Sequence, residues 1–263
     1  MTARPPRSVV IVTGASSGIG AAFSAALAAR GDDLVVVARR TDRLEALAAH
    51  LGTAHGTQVE VLPADLATDA GIAVVAERLT ASDRPVDLLV NNAGVGSMGR
   101  FWDLPPEGET AQVMLNVTAL VRLTHAALGP MVARGRGGVI NVSSLGAYQP
   151  VPFNATYGAT KAFVSSFTNA LREELRGTGV RAMVLAPGFT RTEFQGESFG
   201  PTNIPGVAWQ SPDEVVATAL RAYDRGRAVC IAGAVNVVAA AAVSVLPASV
   251  SRRVSGAITR RIY

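Results

Sequence analysis

The feature that most constrains the fold is a repeated alternation of short, uninterrupted apolar runs with longer segments of helical character. Residues 8–13 form the first apolar run, and the alanine-rich residues 18–30, which end before Gly31, form the first predicted helix. Strands that are apolar along their whole length are covered on both faces, as in parallel sheets between two helix layers. The pattern therefore predicts a doubly wound α/β fold.

The same alternation continues along most of the chain. We expect further strands at 33–38, 58–62, 86–90, 138–143, 180–186 and 229–232, and further helices at 41–51, 68–80, about 107–133 and about 156–176. Because no linker, charge block or internal repeat interrupts it, residues 1–263 are predicted to form a single domain with a seven-stranded, mainly parallel sheet and helices on both faces. The core spans about 8–232, followed by a C-terminal extension at about 233–263. Residues 189–212 lack a clear period and are predicted to form a substrate loop.

Composition and charge exclude several classes of function. Hydrophobic residues make up 49% of the chain, enough for a substantial core, which excludes a disordered protein. One cysteine and three scattered histidines predict no disulfide framework and no metal site, and they favour a reducing, cytoplasmic compartment. The formal net charge of +4 arises from the tail, because the residues from Arg225 onward contain six arginines and no acid. No nucleic-acid partner is therefore expected.

A glycine-rich segment, residues 13–20, joins the first strand to the first helix. Glycine at 14, 18 and 20 permits a tight turn, close approach of a pyrophosphate to the backbone, and close contact between helix and strand. The alternative is an ordinary glycine-rich turn, but the strand before it and the helix after it favour dinucleotide binding. The residues expected to contact the cofactor here are Gly14, Ser16, Ser17, Gly18, Ile19 and Gly20.

The end of the second strand indicates which dinucleotide is preferred. An acid at this place binds the adenosine ribose hydroxyls, whereas a basic residue suits a 2′-phosphate. The sequence has Arg39 and Arg40 and no acid, and a guanidinium can bind a phosphate through two hydrogen bonds. NADP(H) is therefore predicted in preference to NAD(H). The alternative is two solvated arginines at the edge of the sheet.

Tyr157 and Lys161 are four residues apart near the start of a predicted helix, so their side chains share one face. Lys161 is the only lysine among 24 basic residues, and lysine offers a compact point charge that arginine does not. An ammonium near a phenol favours the phenolate and lowers its pKa. The pair predicts acid–base catalysis. The alternative is a surface lysine that is solvated or pairs with Glu173 or Glu174.

With these motifs in order, residues 8–232 resemble the classical short-chain dehydrogenase/reductase family, which implies a Rossmann-type fold. The resemblance implies a catalytic tetrad of Asn116, Ser144, Tyr157 and Lys161. It also implies cofactor contacts from Asp65, Leu66, Asn92, Ala93, Gly94, Tyr157, Lys161, Pro187, Gly188, Thr190 and Thr192.

The family pattern also implies a role for each catalytic residue. Ser144 binds the substrate carbonyl oxygen, Tyr157 delivers a proton, Lys161 lowers the pKa of the phenol and orients the ribose, and Asn116 holds a water that relays protons. Ser144, 13 residues before the tyrosine, is selected over Ser143. Adjacent strand residues face opposite ways, so Ser143 is expected to make a structural hydrogen bond.

These inferences predict an NADP(H)-dependent carbonyl reductase or alcohol dehydrogenase; the alternative is a sensor or scaffold that binds a dinucleotide without turnover. The expected pocket wall is mostly apolar or small and has no cation cluster, which favours an apolar ketone or secondary alcohol, such as a steroid-like, aromatic or acyl-chain compound. The residues expected to contact substrate are Gly96, Leu145, Asn154, Phe189, Phe194 and Trp209.

The C-terminal extension has several possible uses that the sequence leaves open. Residues 228–251 contain no charge, but Pro247 interrupts the helix candidate at 236–246, so a membrane span is not expected. A flap over the pocket or a subunit interface is favoured, and peripheral membrane contact through the arginine-rich end is the alternative. The family resemblance implies a homo-oligomer, either a dimer or a tetramer, that acts on a small molecule.

Overall fold

The computed structural model describes residues 7–199, 206, 209–244, 249–250, 252–253 and 255–257. Seven strands within these residues form one sheet, and all six strand pairings are parallel. The strands are β1 (Val9–Thr13), β2 (Asp33–Ala38), β3 (Val59–Pro63), β4 (Leu88–Asn91), β5 (Gly137–Val142), β6 (Val180–Ala186) and β7 (Val229–Ile231). Their order across the sheet is β3-β2-β1-β4-β5-β6-β7. The predicted strands are confirmed to within two residues at each end.

Helices cover both faces of the sheet. The helices among the described residues are α1 (Gly18–Ala29), α2 (Thr41–His55), α3 (Asp69–Thr80), α4 (Pro106–Val113), α5 (Leu120–Ala133), α6 (Ala155–Glu174), α7 (Glu193–Phe199), α8 (Pro212–Asp224) and α9 (Ala234–Ser244). Val10 and Val12 of β1 belong to a core with side chains of α1, α2 and α8. Ile11, between them, belongs to the opposite core with side chains of α3 and α5. The uninterrupted apolar strands thus reflect burial on both faces.

The long helix predicted at about 107–133 is present, but a π-helical turn interrupts it. This turn, Met114–Ala119, lies between α4 and α5 and contains Asn116. A π turn adds a residue to one turn of a helix and is frequent at functional sites. The presence of Asn116 in this turn is therefore consistent with the functional role predicted for it.

Two helices lie where sequence reasoning placed none. Helix α7 lies inside the segment predicted as an irregular substrate loop, 189–212, and α8 follows that segment. Ser211 and Glu214 form a capping box at the start of α8: the Glu214 amide donates to Ser211 Oγ over 3.2 Å, and the Ser211 amide donates to Glu214 Oε2 over 2.8 Å. This spacing of serine and glutamate was a signal in the sequence that could have predicted α8.

The C-terminal extension begins with a helix, as predicted. Helix α9 covers Ala234–Ser244, against the predicted range of 236–246, whose last two residues lie outside the described part of the chain. Among the described residues, no helix combines the length and apolar character needed to span a bilayer.

The strand order reverses between β1 and β4, which are neighbours in the sheet although two strands separate them in the sequence. Ligands of doubly wound sheets bind at such a switch point, beyond the carboxyl ends of the strands. The glycine turn follows β1, Asn92 follows β4 and Ser144 follows β5. The fold therefore brings the predicted motifs to one edge of the sheet.

Candidate active site

A cleft of about 670 Å³ opens along this edge of the sheet. Most of the predicted site residues line it. They are Gly14, Ser16, Ser17, Gly18, Ile19, Arg39, Arg40, Asp65, Leu66, Asn92, Ala93, Gly94, Ser144, Leu145, Asn154, Tyr157, Lys161, Pro187, Gly188, Phe189, Thr190, Thr192 and Phe194. Gly20, Gly96, Asn116 and Trp209 are absent from this lining.

The glycine turn has the geometry that a close phosphate approach requires. Gly14 and Gly18 have φ angles of +66° and +56°, which favour glycine. A Cβ at Gly20 would overlap the Gly14 carbonyl oxygen and lie 2.7 Å from Asn92 Nδ2. Gly20 therefore permits contact between α1 and the turn, and its contact with the cofactor stays a prediction. The open cradle formed by these glycines fits a dinucleotide pyrophosphate.

Thr13 joins the ends of β1 and β4, a role that the sequence reasoning missed. Its hydroxyl donates to the Val90 carbonyl over 3.2 Å and accepts from the amides of Asn92 and Ala93 over 2.9 and 3.0 Å. Asn92 Nδ2 donates to the Thr13 carbonyl over 2.9 Å. These bonds hold the segment after β4 against the glycine turn, where both line the cleft.

The two arginines after β2 are not equivalent. Arg39 is exposed, whereas Arg40 donates through Nη2 to Ser16 Oγ and Ser17 Oγ, each over 3.0 Å. Arg40 Nη1 also donates to Glu193 over 3.0 Å. The Arg40 guanidinium therefore binds two hydroxyls of the glycine turn and a carboxylate of α7. We call this group of side chains the anion site.

Asp65 and Leu66, two of the predicted cofactor contacts, follow β3. Leu66 is buried, and Asp65 Oδ1 accepts from the Ala67 amide over 3.0 Å. Both residues line the cleft. Asp65 is exposed and remains accessible to a bound base.

Tyr157 and Lys161 lie side by side on the first two turns of α6. Lys161 Nζ is 5.7 Å from the centre of the Tyr157 ring and donates to the Val142 carbonyl over 2.9 Å. Ser144 makes a side-chain hydrogen bond with Tyr157. The tyrosine, the lysine and the serine are therefore brought together although Ser144 comes from the end of a different strand.

Burial, and not the ammonium, dominates the protonation of this pair. Desolvation raises the pKa of Tyr157 to about 12, opposed by the hydrogen bond with Ser144. Desolvation also lowers the pKa of Lys161 to about 8. The expected lowering of the phenol pKa is thus reversed here, because both groups are withdrawn from water and the lysine charge is itself disfavoured. At neutral pH the phenol holds its proton and can donate it.

Ser143 and Ser144 differ as predicted. Ser143 Oγ is buried, donates to the Lys161 carbonyl over 2.7 Å and lies 2.8 Å from Ser165 Oγ. Ser144 lines the cleft and accepts from the Gly146 amide over 3.1 Å. Ser143 therefore attaches β5 to α6, and Ser144 faces the catalytic tyrosine.

Asn116 lies behind the cleft wall. Its Oδ1 accepts from the Val95 amide over 3.0 Å, and its Nδ2 donates to the Val95 carbonyl over 2.9 Å and to Thr160 Oγ1 over 3.1 Å. A Cβ on Gly94 would lie 3.1 Å from Asn116 Oδ1 and 3.3 Å from Lys161 Nζ. The asparagine thus clamps the segment beside the lysine, while its role in holding a water stays a prediction.

The segment after β6 closes the other side of the cleft. The Pro187 carbonyl accepts from the Leu145 amide over 2.8 Å, and the Thr190 hydroxyl donates to the Gly188 carbonyl over 3.1 Å. Asn236 of α9 lies directly against Gly188, where a Cβ would be 2.7 Å from its Cγ. Asn236 of the C-terminal extension therefore packs on the segment that contains the predicted cofactor contacts Pro187 and Gly188.

Two of the predicted substrate contacts, Gly96 and Trp209, are absent from the cleft lining and stay predictions. Gly96 has no side chain to present, and its neighbours Val95 and Met98 form that part of the wall instead. The Trp209 ring lies 5.8 Å from the ring of Phe189, which does line the cleft. Phe194, by contrast, lies 5.9 Å from the Tyr157 ring.

Sequence reasoning also missed part of the wall. Met98, Leu115, Gln149 and Gln195 line the cleft, and none of them belongs to a spaced motif. No group of three His, Cys, Asp or Glu residues suited to a metal ion is found within the described ranges.

Together, the parallel sheet, the glycine cradle and the group of Ser144 with the buried Tyr157 and Lys161 define a dinucleotide-dependent oxidoreductase. The family model for short chain dehydrogenases matches residues 8–202. The chain therefore belongs to the short-chain dehydrogenase family.

Relatives of known name agree with this assignment. Serine 3-dehydrogenase of Agrobacterium fabrum is 38% identical over 192 residues, which cover 70% of this chain and 73% of the relative. A short-chain dehydrogenase from Sphingobium yanoikuyae, solved in complex with NADPH, is 40% identical, with a TM-score of 0.82 over 85% of this chain and 87% of that one. A 7β-hydroxysteroid dehydrogenase is 28% identical, with a TM-score of 0.85 over 95% and 96% of the two chains.

Proposed function

We propose that this protein is an NADP(H)-dependent carbonyl reductase or alcohol dehydrogenase, with Ser144, Tyr157 and Lys161 in the catalytic roles. The observation that carries the proposal is a buried Tyr157 that is hydrogen-bonded to Ser144, with Lys161 Nζ 5.7 Å from its ring centre, at the wall of a cofactor-sized cleft. A dinucleotide sensor that performs no turnover would have no need for this group.

Each side chain has a task in carbonyl reduction. Ser144 donates a hydrogen bond to the substrate carbonyl oxygen, where negative charge develops, and Tyr157 delivers its phenolic proton to that oxygen. Lys161 opposes the negative charge that the phenol acquires as its proton leaves. Asn116 keeps Val95 and Gly94 in position beside the lysine. NADPH, when bound, supplies the hydride to the carbonyl carbon.

The preference for NADP(H) rests on Arg40. Its guanidinium lies between Ser16 Oγ, Ser17 Oγ and an anionic side chain. A 2′-phosphate suits this arrangement because it is an anion that accepts hydrogen bonds from guanidinium and hydroxyl groups. The NADPH complex of the Sphingobium relative supports the same choice.

The substrate that we propose is a ketone or secondary alcohol with a mainly apolar body. Leu145, Val151, Phe189 and Phe194 supply apolar wall to the cleft, and the structural relative that acts on hydroxysteroids has the same fold over nearly its whole length. Asn154 is 2% exposed and its Oδ1 has no hydrogen-bond partner. Asn154 also lines the cleft, and its contact with the substrate remains part of the proposal.

The remaining features extend the proposal. We propose one domain, with a core at about 8–232, a substrate loop at about 189–212 and an extension at about 233–263 that forms a flap over the pocket or a subunit interface. We further propose that the protein is a homo-oligomer and acts in the cytoplasm. Peripheral membrane contact is the alternative role of the extension. Flotation of the full chain with anionic liposomes tests the membrane contact, and light scattering tests the oligomer.

The test of activity is oxidation of NADPH in the presence of a panel of ketones and aldehydes. Wild type should reduce at least one class, and Tyr157→Phe should bind NADPH with unchanged affinity but lose turnover by a factor of about 10²–10⁴. Equal inactivity of both proteins on every carbonyl, with NADPH still bound, would support the sensor instead.

A further inference from the structure

The anion site at Arg40 is filled by a side chain of the protein itself. Glu193 Oε2 accepts from Arg40 Nη1 over 3.0 Å, and Glu193 Oε1 accepts from Arg43 Nη1 over 2.7 Å. Arg43 Nη1 also lies 2.8 Å from Oε2. One carboxylate thus binds two guanidinium groups, both of which lie at the start of α2. The carboxylate itself belongs to α7, about 150 residues further along the chain.

The position of this carboxylate coincides with the place proposed for the 2′-phosphate. Arg40 directs Nη2 to the Ser16 and Ser17 hydroxyls and Nη1 to Glu193. A phosphate bound by the serines and Arg40 would lie close to the Glu193 carboxylate on the same guanidinium. Two anions close to one guanidinium repel each other, so the phosphate and the carboxylate compete.

The same contact holds a segment that reaches the catalytic tyrosine. Glu193 is the first residue of α7, and the ring of the next residue, Phe194, lies 5.9 Å from the ring of Tyr157. On the other side, the Thr192 methyl carbon would lie 2.9 Å from a Cβ placed on Gly18. Residues 192–194 therefore cross the cleft from the glycine turn to the tyrosine, with the Glu193 ion pairs at the cofactor end.

We propose that Glu193 is an internal competitor of the cofactor 2′-phosphate, which NADP(H) displaces from Arg40 and Arg43 and NAD(H) does not. The inference rests on the proposed use of NADP(H). It assigns Glu193 and Arg43 to cofactor discrimination and makes the start of α7 responsive to the phosphate. The competition lowers affinity for nucleotides that carry a 2′-phosphate in the free protein and links their binding to a change at the wall of the substrate site.

The competition is measured by calorimetric titration of the full-length protein with 2′,5′-ADP and with 5′-AMP, which lacks the 2′-phosphate. Because the glutamine no longer competes as an anion for the two guanidinium groups, Glu193→Gln should bind 2′,5′-ADP about three- to tenfold more tightly. Its affinity for 5′-AMP should stay within about twofold of wild type. Glu193 is well exposed, so the substitution leaves the core intact.

Glu45→Gln is the matched control. Glu45 is exposed on α2, two residues from Arg43, and makes no ion pair among the described residues, so it removes the same charge without touching the anion site. It should leave both affinities at the wild-type values. An equal gain in this control, or an unchanged or weaker affinity of Glu193→Gln for 2′,5′-ADP, would overturn the proposal.

The same titrations separate this inference from the cofactor assignment. If Glu193→Gln binds 2′,5′-ADP no more tightly than 5′-AMP, the arginine site does not recognise the phosphate and the NADP(H) proposal fails with it. If the variant and wild type both prefer 2′,5′-ADP to the same degree, only the role of Glu193 fails.

Hydrogen exchange gives a readout that is independent of affinity. Saturating 2′,5′-ADP should accelerate amide exchange at residues 193–196 of wild type, because α7 loses its ion pairs, and 5′-AMP should not. Unchanged exchange with 2′,5′-ADP would show that the phosphate leaves Glu193 in place, and it would overturn the proposed release.

Discussion

Lys161→Arg keeps the charge of the catalytic lysine and should nevertheless abolish activity. Lys161 is 5% exposed, and its Nζ lies 2.9 Å from the Val142 carbonyl oxygen and 5.7 Å from the centre of the Tyr157 ring. A Cβ on Gly94 would be only 3.3 Å from this nitrogen. A guanidinium is wider than an ammonium, so it would displace Tyr157 or the segment at Gly94.

The magnitude has two separable parts. Overpacking of a filled site lowers the free energy of unfolding by about 1–3 kcal/mol. Loss of correctly placed proton transfer lowers kcat by about 10²–10⁴-fold, which corresponds to about 3–5 kcal/mol of activation free energy. Because the second part is the larger, a fully folded variant should still be inactive.

The assay compares kcat for carbonyl reduction with urea unfolding of the same preparations. Arg181→Lys, the reverse exchange at an exposed residue of β6, should leave both quantities close to wild type. Lys161→Met, which removes the charge within a similar volume, should lose kcat to a similar extent. A Lys161→Arg enzyme that keeps more than about a tenth of wild-type kcat would refute the requirement for a compact ammonium.

Three further predictions follow from the same geometry. Ser144→Ala should lower kcat by about 10²–10³-fold and keep nearly wild-type stability. Ser143→Ala should lower the free energy of unfolding by about 1–3 kcal/mol and retain most activity. The opposite pattern in kinetics and urea unfolding would mean that the two serines have exchanged roles. Gly20→Ala should lower the free energy of unfolding by more than about 2 kcal/mol and weaken NADPH binding, because the added Cβ overlaps backbone atoms. Gly108→Ala, whose Cβ would have no atom within 4 Å, should leave the free energy of unfolding unchanged or raise it. Equal thermal midpoints for the two variants would contradict this. Burial lowers the pKa of Lys161 to about 8, so above this pH the unfolded chain binds more protons than the folded protein. The free energy of unfolding of wild type, relative to Lys161→Met, should therefore rise by up to about 1.4 kcal/mol per pH unit between pH 8 and 10. If urea titrations show a difference between the two proteins that does not change with pH, the lysine is not buried.

Much of the fold could be predicted because it depends on local patterns. The strands are apolar along their length since each is covered on both faces, and the helices between them follow from length and composition. Helix α8 was missed although Ser211 and Glu214 have capping-box spacing. The π turn at Asn116 could not be predicted from helical periodicity, because its side chain is held by Val95 and Thr160, which lie on other elements.

The candidate site divides in the same way. Tyr157 and Lys161 share a helix face, so spacing alone brings them together. The contact of Trp209 with Phe189 depends on how the segment after β6 folds over the cleft, and no sequence spacing encodes it. Met98 and Gln195 line the cleft for the same reason.

The sequence by itself determined the parallel α/β fold, the glycine cradle and the pairing of a tyrosine with the single lysine, because each depends on neighbours close in the chain. The tertiary structure decided the rest. It buried Tyr157 and Lys161, so desolvation raises the pKa of the phenol instead of the ammonium lowering it. It also brought Glu193 to Arg40 across about 150 residues of chain, a contact between charges that are distant in sequence and near only when the chain is folded.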